Sequence, residues 1–273
     1  MIRLRELTTS RPVRITFHGT GAGHPSGDRF GSAATLRCDE GPTLLVDAGD
    51  SVPRRMIADG IRPESIDALF LSHTHPDHWS GIPGLVMAWD MAERTSPVTL
   101  FLPPSGGEFL HSVLRNSWLQ ARPRSYDLRI REYVEGEESV IGPVTVRPFA
   151  TSHLDRYRRE GEPAGVPYPA HMFRCAVAGT SILFSQDLGS ELDLKPHLDG
   201  VDLLVCEASH VDLDSMARLA LGSGVRVLVV THIGPEEGEK VGRFETAWSD
   251  SNENMRVIVA FDGMEIAIEQ ERI

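Results

Sequence analysis

The sequence predicts mixed β-sheets covered by helices, and three observations carry that prediction. Short apolar, β-branched runs recur along the chain, and the early ones follow one another through Gly and Pro turns as hairpins do. Around Leu71, Leu102, Cys206 and Val230 the runs alternate instead with helical patterns, as parallel units do. No linker run, low-complexity tract or tight repeat interrupts the 273 residues, so residues 1–273 read as one domain.

In chain order, strands are read at Val13–Phe17, Ala33–Arg37 and Thr43–Val46, where β-branched and apolar residues recur between turn residues. Ser51–Asp59 follows with helical spacing. Ala68–Leu71 is a continuous apolar run, the mark of a strand buried on both faces, and Ile82–Arg94 is the helix after it. Val98–Leu102 and the helix Gly106–Asn116 repeat that pair. Leu128–Val134, Val144–Phe149, Met172–Val177, Ser181–Phe184 and Leu203–Cys206 then read as strands. Leu213–Leu221 is a helix, Val225–Val230 a strand and Pro235–Trp248 a helix; Arg256–Ala260 and Met264–Ile268 close the series as strands.

Composition bounds the function. Hydrophobic residues make up 41% and charged residues 24%, which is ordinary for a globular protein. The formal net charge of −12 repels nucleic acid and anionic membranes at long range and weighs against a nucleic-acid partner. Cys38, Cys175 and Cys206 are far apart, lack CxxC spacing and sit in apolar stretches, so they read as buried thiols of a reducing compartment. Met1–Glu6 has no apolar signal region, and no apolar run approaches the roughly 20 residues that span a bilayer. The expectation is a cytoplasmic protein without a membrane segment.

The chemistry is concentrated in His73-Thr74-His75-Pro76-Asp77-His78, directly after the apolar run that ends at Ser72. Four potential metal ligands fall in six positions, at the strand-to-helix junction where open α/β sheets place ligands. Imidazole and carboxylate are suitable donors for Zn²⁺ and similar ions. In a tight loop His73 and His75 converge on one ion, while Asp77 and His78 point towards a second. His153, Asp187 and His232 each follow an apolar strand as well. If those strands share a direction, their ends meet at one edge. Seven donors then suit two ions, with one carboxylate shared.

These motifs resemble the metallo-β-lactamase superfamily, and the resemblance covers nearly the whole chain. It implies an α+β fold, an αββα sandwich of two packed mixed sheets flanked by helices. It implies one ion on His73, His75 and His153, another on Asp77, His78 and His232, and Asp187 between them. Leu45-Val46-Asp47-Ala48-Gly49 matches an early motif whose Asp supports the site. The motif keeps Asp77 and a second His where an iron-binding redox branch prefers a different pattern with a Glu, which favours Zn²⁺, with Mn²⁺ or Fe²⁺ as the other choices. Phe17–Ser26 and Cys206-Glu207-Ala208-Ser209-His210 resemble, more narrowly, the tRNA 3′-processing endonuclease (RNase Z) branch and its phosphodiesterase relatives.

The resemblance implies a binuclear hydrolase whose metals activate a water, with Asp77, Glu207 and His210 as catalytic residues and His210 as general acid. The acidic balance, and the lack of a long basic arm in the sequence, favour a small phosphodiester. Precursor tRNA is the alternative, as is a lactone, carboxylic ester or thioester on the same site. The partner is then a small-molecule ester, and the resemblance leans towards a homodimer. His153–Arg159 reads either as a loop that grips an anionic substrate or as a solvated surface loop, and Trp79 as pocket wall or core. His24 is a further candidate to line the site. His18, His111, His171 and His197 read as structural or surface residues.

Overall fold

Runs such as Thr43-Leu-Leu-Val46 and Val227-Leu-Val-Val-Thr231 leave no polar face for water, so the strands that carry them are covered on both sides. In the computed structural model, residues 1–120, 123–157, 170–251 and 254–270 are described. One sheet has eight strands: β1 (Ile2–Thr9), β2 (Val13–Gly19), β3 (Ala33–Cys38), β4 (Thr43–Val46), β5 (Ile66–Phe70), β6 (Val98–Leu102), β7 (Leu128–Glu132) and β15 (Glu265–Gln270). Their spatial order is β1-β15-β2-β3-β4-β5-β6-β7. The second sheet holds β8 (Ser139–Ile141), β9 (Val144–Thr151), β10 (Ala170–Val177), β11 (Thr180–Phe184), β12 (Leu203–Glu207), β13 (Val227–Thr231) and β14 (Arg256–Val259), in the reverse order β14 to β8.

Alternation sorts the side chains into three cores. Leu44 and Val46 of β4, Phe70 of β5, Val205 of β12 and Val229 of β13 meet between the sheets. Leu45 and Leu69 point the other way, onto α1 (Val52–Ala58), α3 (Ile82–Met91) and α4 (Gly106–Asn116) through Met56, Trp89 and Leu114. Leu204 and Leu228 point out of the second sheet onto α5 (Leu213–Gly222) and α6 (Gly238–Ser251) through Met216, Ala220 and Phe244. Helix, sheet, sheet, helix is the layering the sequence implied. Among the described residues no helix is long and apolar enough to cross a membrane.

Two strands escape sequence reasoning. β1 carries Arg3, Arg5 and Glu6, and an irregularity in its pairing with β15 turns both Leu4 and Leu7 inward, which breaks the period of two. β8 is three residues long, too short to show a period. The helix read at Ile82–Arg94 ends at Met91, because Glu93 adopts the left-handed region (φ 50°) and the Arg94 amide donates to the Trp89 carbonyl. The helix read at Pro235–Trp248 begins instead at Gly238 and runs to Ser251.

Strand direction positions the site. β11, β12 and β13 are parallel, and β9 shares their direction because both β9 and β11 run antiparallel to β10. β4 and β5 are parallel in the facing sheet. The loops that follow β4, β5, β9, β11, β12 and β13 gather at one rim.

Candidate metal centre

Pro76 presets the backbone for a helix start. The hydrogen bonds His78 N–H to the His75 carbonyl and Ser80 N–H to the Pro76 carbonyl then close a short helix, α2 (Pro76–Trp79), where the sequence read a loop. This turn separates the two donor pairs. The segment after β4 grips it: the Ala48 amide donates to the His78 carbonyl at 2.7 Å, and the Gly81 amide to the Ala48 carbonyl at 2.9 Å. Gly49 lies so close beneath that a Cβ there would stand 2.4 Å from the Asp77 carbonyl oxygen and 2.3 Å from the Gly31 backbone.

All seven predicted donors meet at the rim. His78 Nε2 and His232 Nε2 are 3.3 Å apart; Asp77 Oδ2 lies 3.3 Å from the former and 3.2 Å from the latter. Asp187 Oδ1 is 3.2 Å from both imidazole nitrogens. On its other side, Asp187 Oδ2 lies 3.5 Å from His153 Nε2 and 3.7 Å from His73 Nε2, and His153 Nε2 is 3.2 Å from His75 Nδ1. Tetrahedral coordination with bonds of about 2.0–2.1 Å has ligand–ligand edges of about 3.3 Å, so both donor groups have the dimensions of an ion's coordination shell. Donor chemistry agrees. His73 Nε2 and Asp187 Oδ1 are buried without a hydrogen-bond partner, an arrangement that a cation resolves.

Neighbours fix which nitrogens are free. His78 Nδ1 lies 2.6 Å from Asp47 Oδ2, and His73 Nδ1 3.0 Å from Ser72 Oγ, whose hydroxyl donates to the same carboxylate. With the protons on Nδ1, both rings turn Nε2 towards the site. Burial pushes the His153 imidazole down to about 4, against the pull of Asp187, so the ring is neutral near pH 7. Burial opposes the ionisation of Asp77, but hydrogen bonds with His232 and His78 outweigh it and hold the carboxyl well below its usual range.

Glu207 and His210 stand beside the donors. The buried Glu207 carboxylate accepts from the amides of Ser209 and His210 at 2.8 Å each and from that of Leu188 at 3.2 Å. His210 Nδ1 is 3.1 Å from Glu207 Oε1, and the His210 ring centroid is 4.7 Å from that of His153. A cavity of about 580 Å³ opens over the donors, with Arg156, Tyr157, His210, Glu236 and Glu237 on its wall. His24 lines it too. Trp79 does not; its ring packs edge-on against Phe109 at 4.7 Å, in the helix-covered core. Of the charged stretch after His153, Arg158 and Arg159 lie outside the described residues. Sequence reasoning missed Gln186, whose amide donates to Asp47 across the site.

Fold and donor set define the class: a metallo-β-lactamase-fold protein of the metal-dependent hydrolase type. Solved structures agree on the fold. The Bacillus subtilis metallo-β-lactamase fold protein YhfI superposes with a TM-score of 0.73 at 19% identity, covering 94% of this chain and 99% of its own. Unliganded yeast PDE1 gives 0.68 at 15%, covering 93% and 99%. The ribonuclease Z of Methanosarcina acetivorans is 29% identical over 94% of this chain and 98% of its own length. Residues 13–198 match the family described as Anti-Pycsar protein Apyc1, and the chain belongs to that family.

Proposed function

We propose that the protein is a binuclear metal-dependent phosphodiesterase acting on a small phosphodiester. The observation that carries this reading is the Asp187 carboxylate, whose two oxygens face two separate donor groups. In this reading His73, His75, His153 and Asp187 hold one ion, and Asp77, His78, His232 and Asp187 the other. Zn²⁺ suits the nitrogen-rich donors, with Mn²⁺ or Fe²⁺ depending on supply. When bound by these residues, divalent ions would supply Lewis acidity, lowering the pKa of a water and neutralising charge on the phosphoryl oxygens.

The chain supplies the rest. Asp77 and Asp187 orient the attacking water through their carboxylate oxygens. Glu207 fixes the proton on His210 Nδ1, so that His210 Nε2, when protonated, gives its proton to the leaving alkoxide. Arg156, on the cavity wall, binds a non-bridging phosphoryl oxygen. Two observations support a small substrate. The cavity matches the roughly 300–1,000 Å³ of small-ligand sites, and Glu236, Glu237 and the net charge of −12 repel a polyanion.

Similarity to ribonuclease Z along nearly the full chain favours a second reading, cleavage of precursor tRNA. Assays on bis(p-nitrophenyl) phosphate, a lactone and a precursor tRNA separate the readings. The expected result is hydrolysis of the phosphodiester alone, reduced at least 100-fold in His210→Ala. Hydrolysis of the lactone alone, or site-specific tRNA cleavage at comparable rates, overturns the proposal.

A further inference from the structure

At the rim, Asp47 (φ 56°), Gln186 (φ 46°) and His232 (φ 52°) adopt the left-handed backbone region although none is glycine. Such conformations are strained for residues with a Cβ and persist where the surroundings over-determine them. His232 is itself a proposed donor and Asp47 orients one. Gln186 has neither role, yet it directly precedes Asp187, and its side chain crosses from the second sheet to the first to donate to Asp47 Oδ2.

Asp47 is fully buried and its carboxylate is crowded with donors. Oδ1 accepts from the Ser72 amide at 2.7 Å; Oδ2 accepts from the Ser72 hydroxyl at 2.7 Å, from His78 Nδ1 at 2.6 Å and from Gln186 Nε2. Gln186 is the only one of these donors that comes from the sheet carrying Asp187, His153 and His232. It therefore ties the carboxylate that aims His78 to the backbone that aims Asp187. His73 is held by the Ser72 hydroxyl, one bond further from Gln186, and among the described residues no hydrogen bond or ion pair joins His75 or His153 to Asp47.

We infer that Gln186 is a positioning residue that selectively tightens the Asp77–His78–His232 half of the centre. The inference rests on the two-metal reading above. The test is zinc retention by the whole protein against a chromogenic chelator, in wild type, Gln186→Met and Gln186→Gly. Met keeps the length but removes the donor. Gly removes the donor and adopts the left-handed backbone without strain, so the local backbone conformation is kept. Groups that contact a ligand directly are worth about 10–100-fold in metal affinity, and Gln186 acts one bond further out, through Asp47. In both variants one zinc per chain should leave about 3–10-fold more readily, while the second is retained as in wild type and the circular dichroism spectrum is unchanged. Retention of both ions within twofold of wild type overturns the inference, as does equal loosening of both, which marks a general structural role. A wild type that holds no zinc overturns the two-metal reading itself, and this inference with it.

Discussion

At the scale of single residues, the sequence disclosed candidate donors and concealed their supports. His73, His75, Asp77 and His78 are dense in six positions, so spacing set them apart, whereas His153, Asp187 and His232 each follow an apolar strand, a weaker mark that the family resemblance reinforced. Gln186 left no such mark. Its partner is 139 positions away, and its φ of 46° is invisible in a string of letters. His171 is a second case, read only as structural or surface. It is buried beside Tyr133, with ring centroids 5.0 Å apart, and burial pushes its imidazole down to about 4 despite the pull of Glu135. The folded chain holds it neutral, whereas the unfolded chain protonates it near 6.5. Its contribution is complete above about pH 6.5 and is lost as pH falls towards about 4, by up to about 3 kcal/mol. His171→Phe should therefore flatten the fall in urea stability between pH 6.5 and 4 relative to wild type. An unchanged pH slope refutes this assignment.

At the scale of elements, the candidate site is held by backbone contacts between the segments that carry its side chains. Most strands were legible because burial on both faces removes the polar positions from runs such as Leu203–Cys206. α2 was not legible, since four residues carry no period and its form depends on Pro76 and on the segment after β4. That segment explains Gly49. Flexibility is not its purpose there; a Cβ would collide with the Asp77 carbonyl and the Gly31 backbone. Backbone cannot yield as a side-chain tip does, so Gly49→Ala should cost about 1–3 kcal/mol in urea denaturation, in the range of overpacked cores. It should also lower zinc content, because the strain falls on the turn that carries Asp77 and His78. Unaltered stability and zinc content contradict this view of the segment.

At the scale of the whole molecule, the two sheets divide the labour. The eight-stranded sheet delivers His73 to His78 and Asp47; the seven-stranded sheet delivers His153, Asp187, His232, Glu207 and His210. The layering was legible because hydrophobic runs and helical patterns alternate along the chain. Which loops meet was legible only through the shared direction of β9, β11, β12 and β13. Asp187 is where the two contributions join, which makes it the sharpest test of the account. The decisive measurement is elemental analysis of purified protein, wild type against Asp187→Ala, combined with hydrolysis of bis(p-nitrophenyl) phosphate. The expected result is two divalent ions per wild-type chain, one or none in the variant, and at least a 100-fold loss of hydrolysis. A wild type without bound metal, or a variant that keeps both ions and full activity, contradicts it.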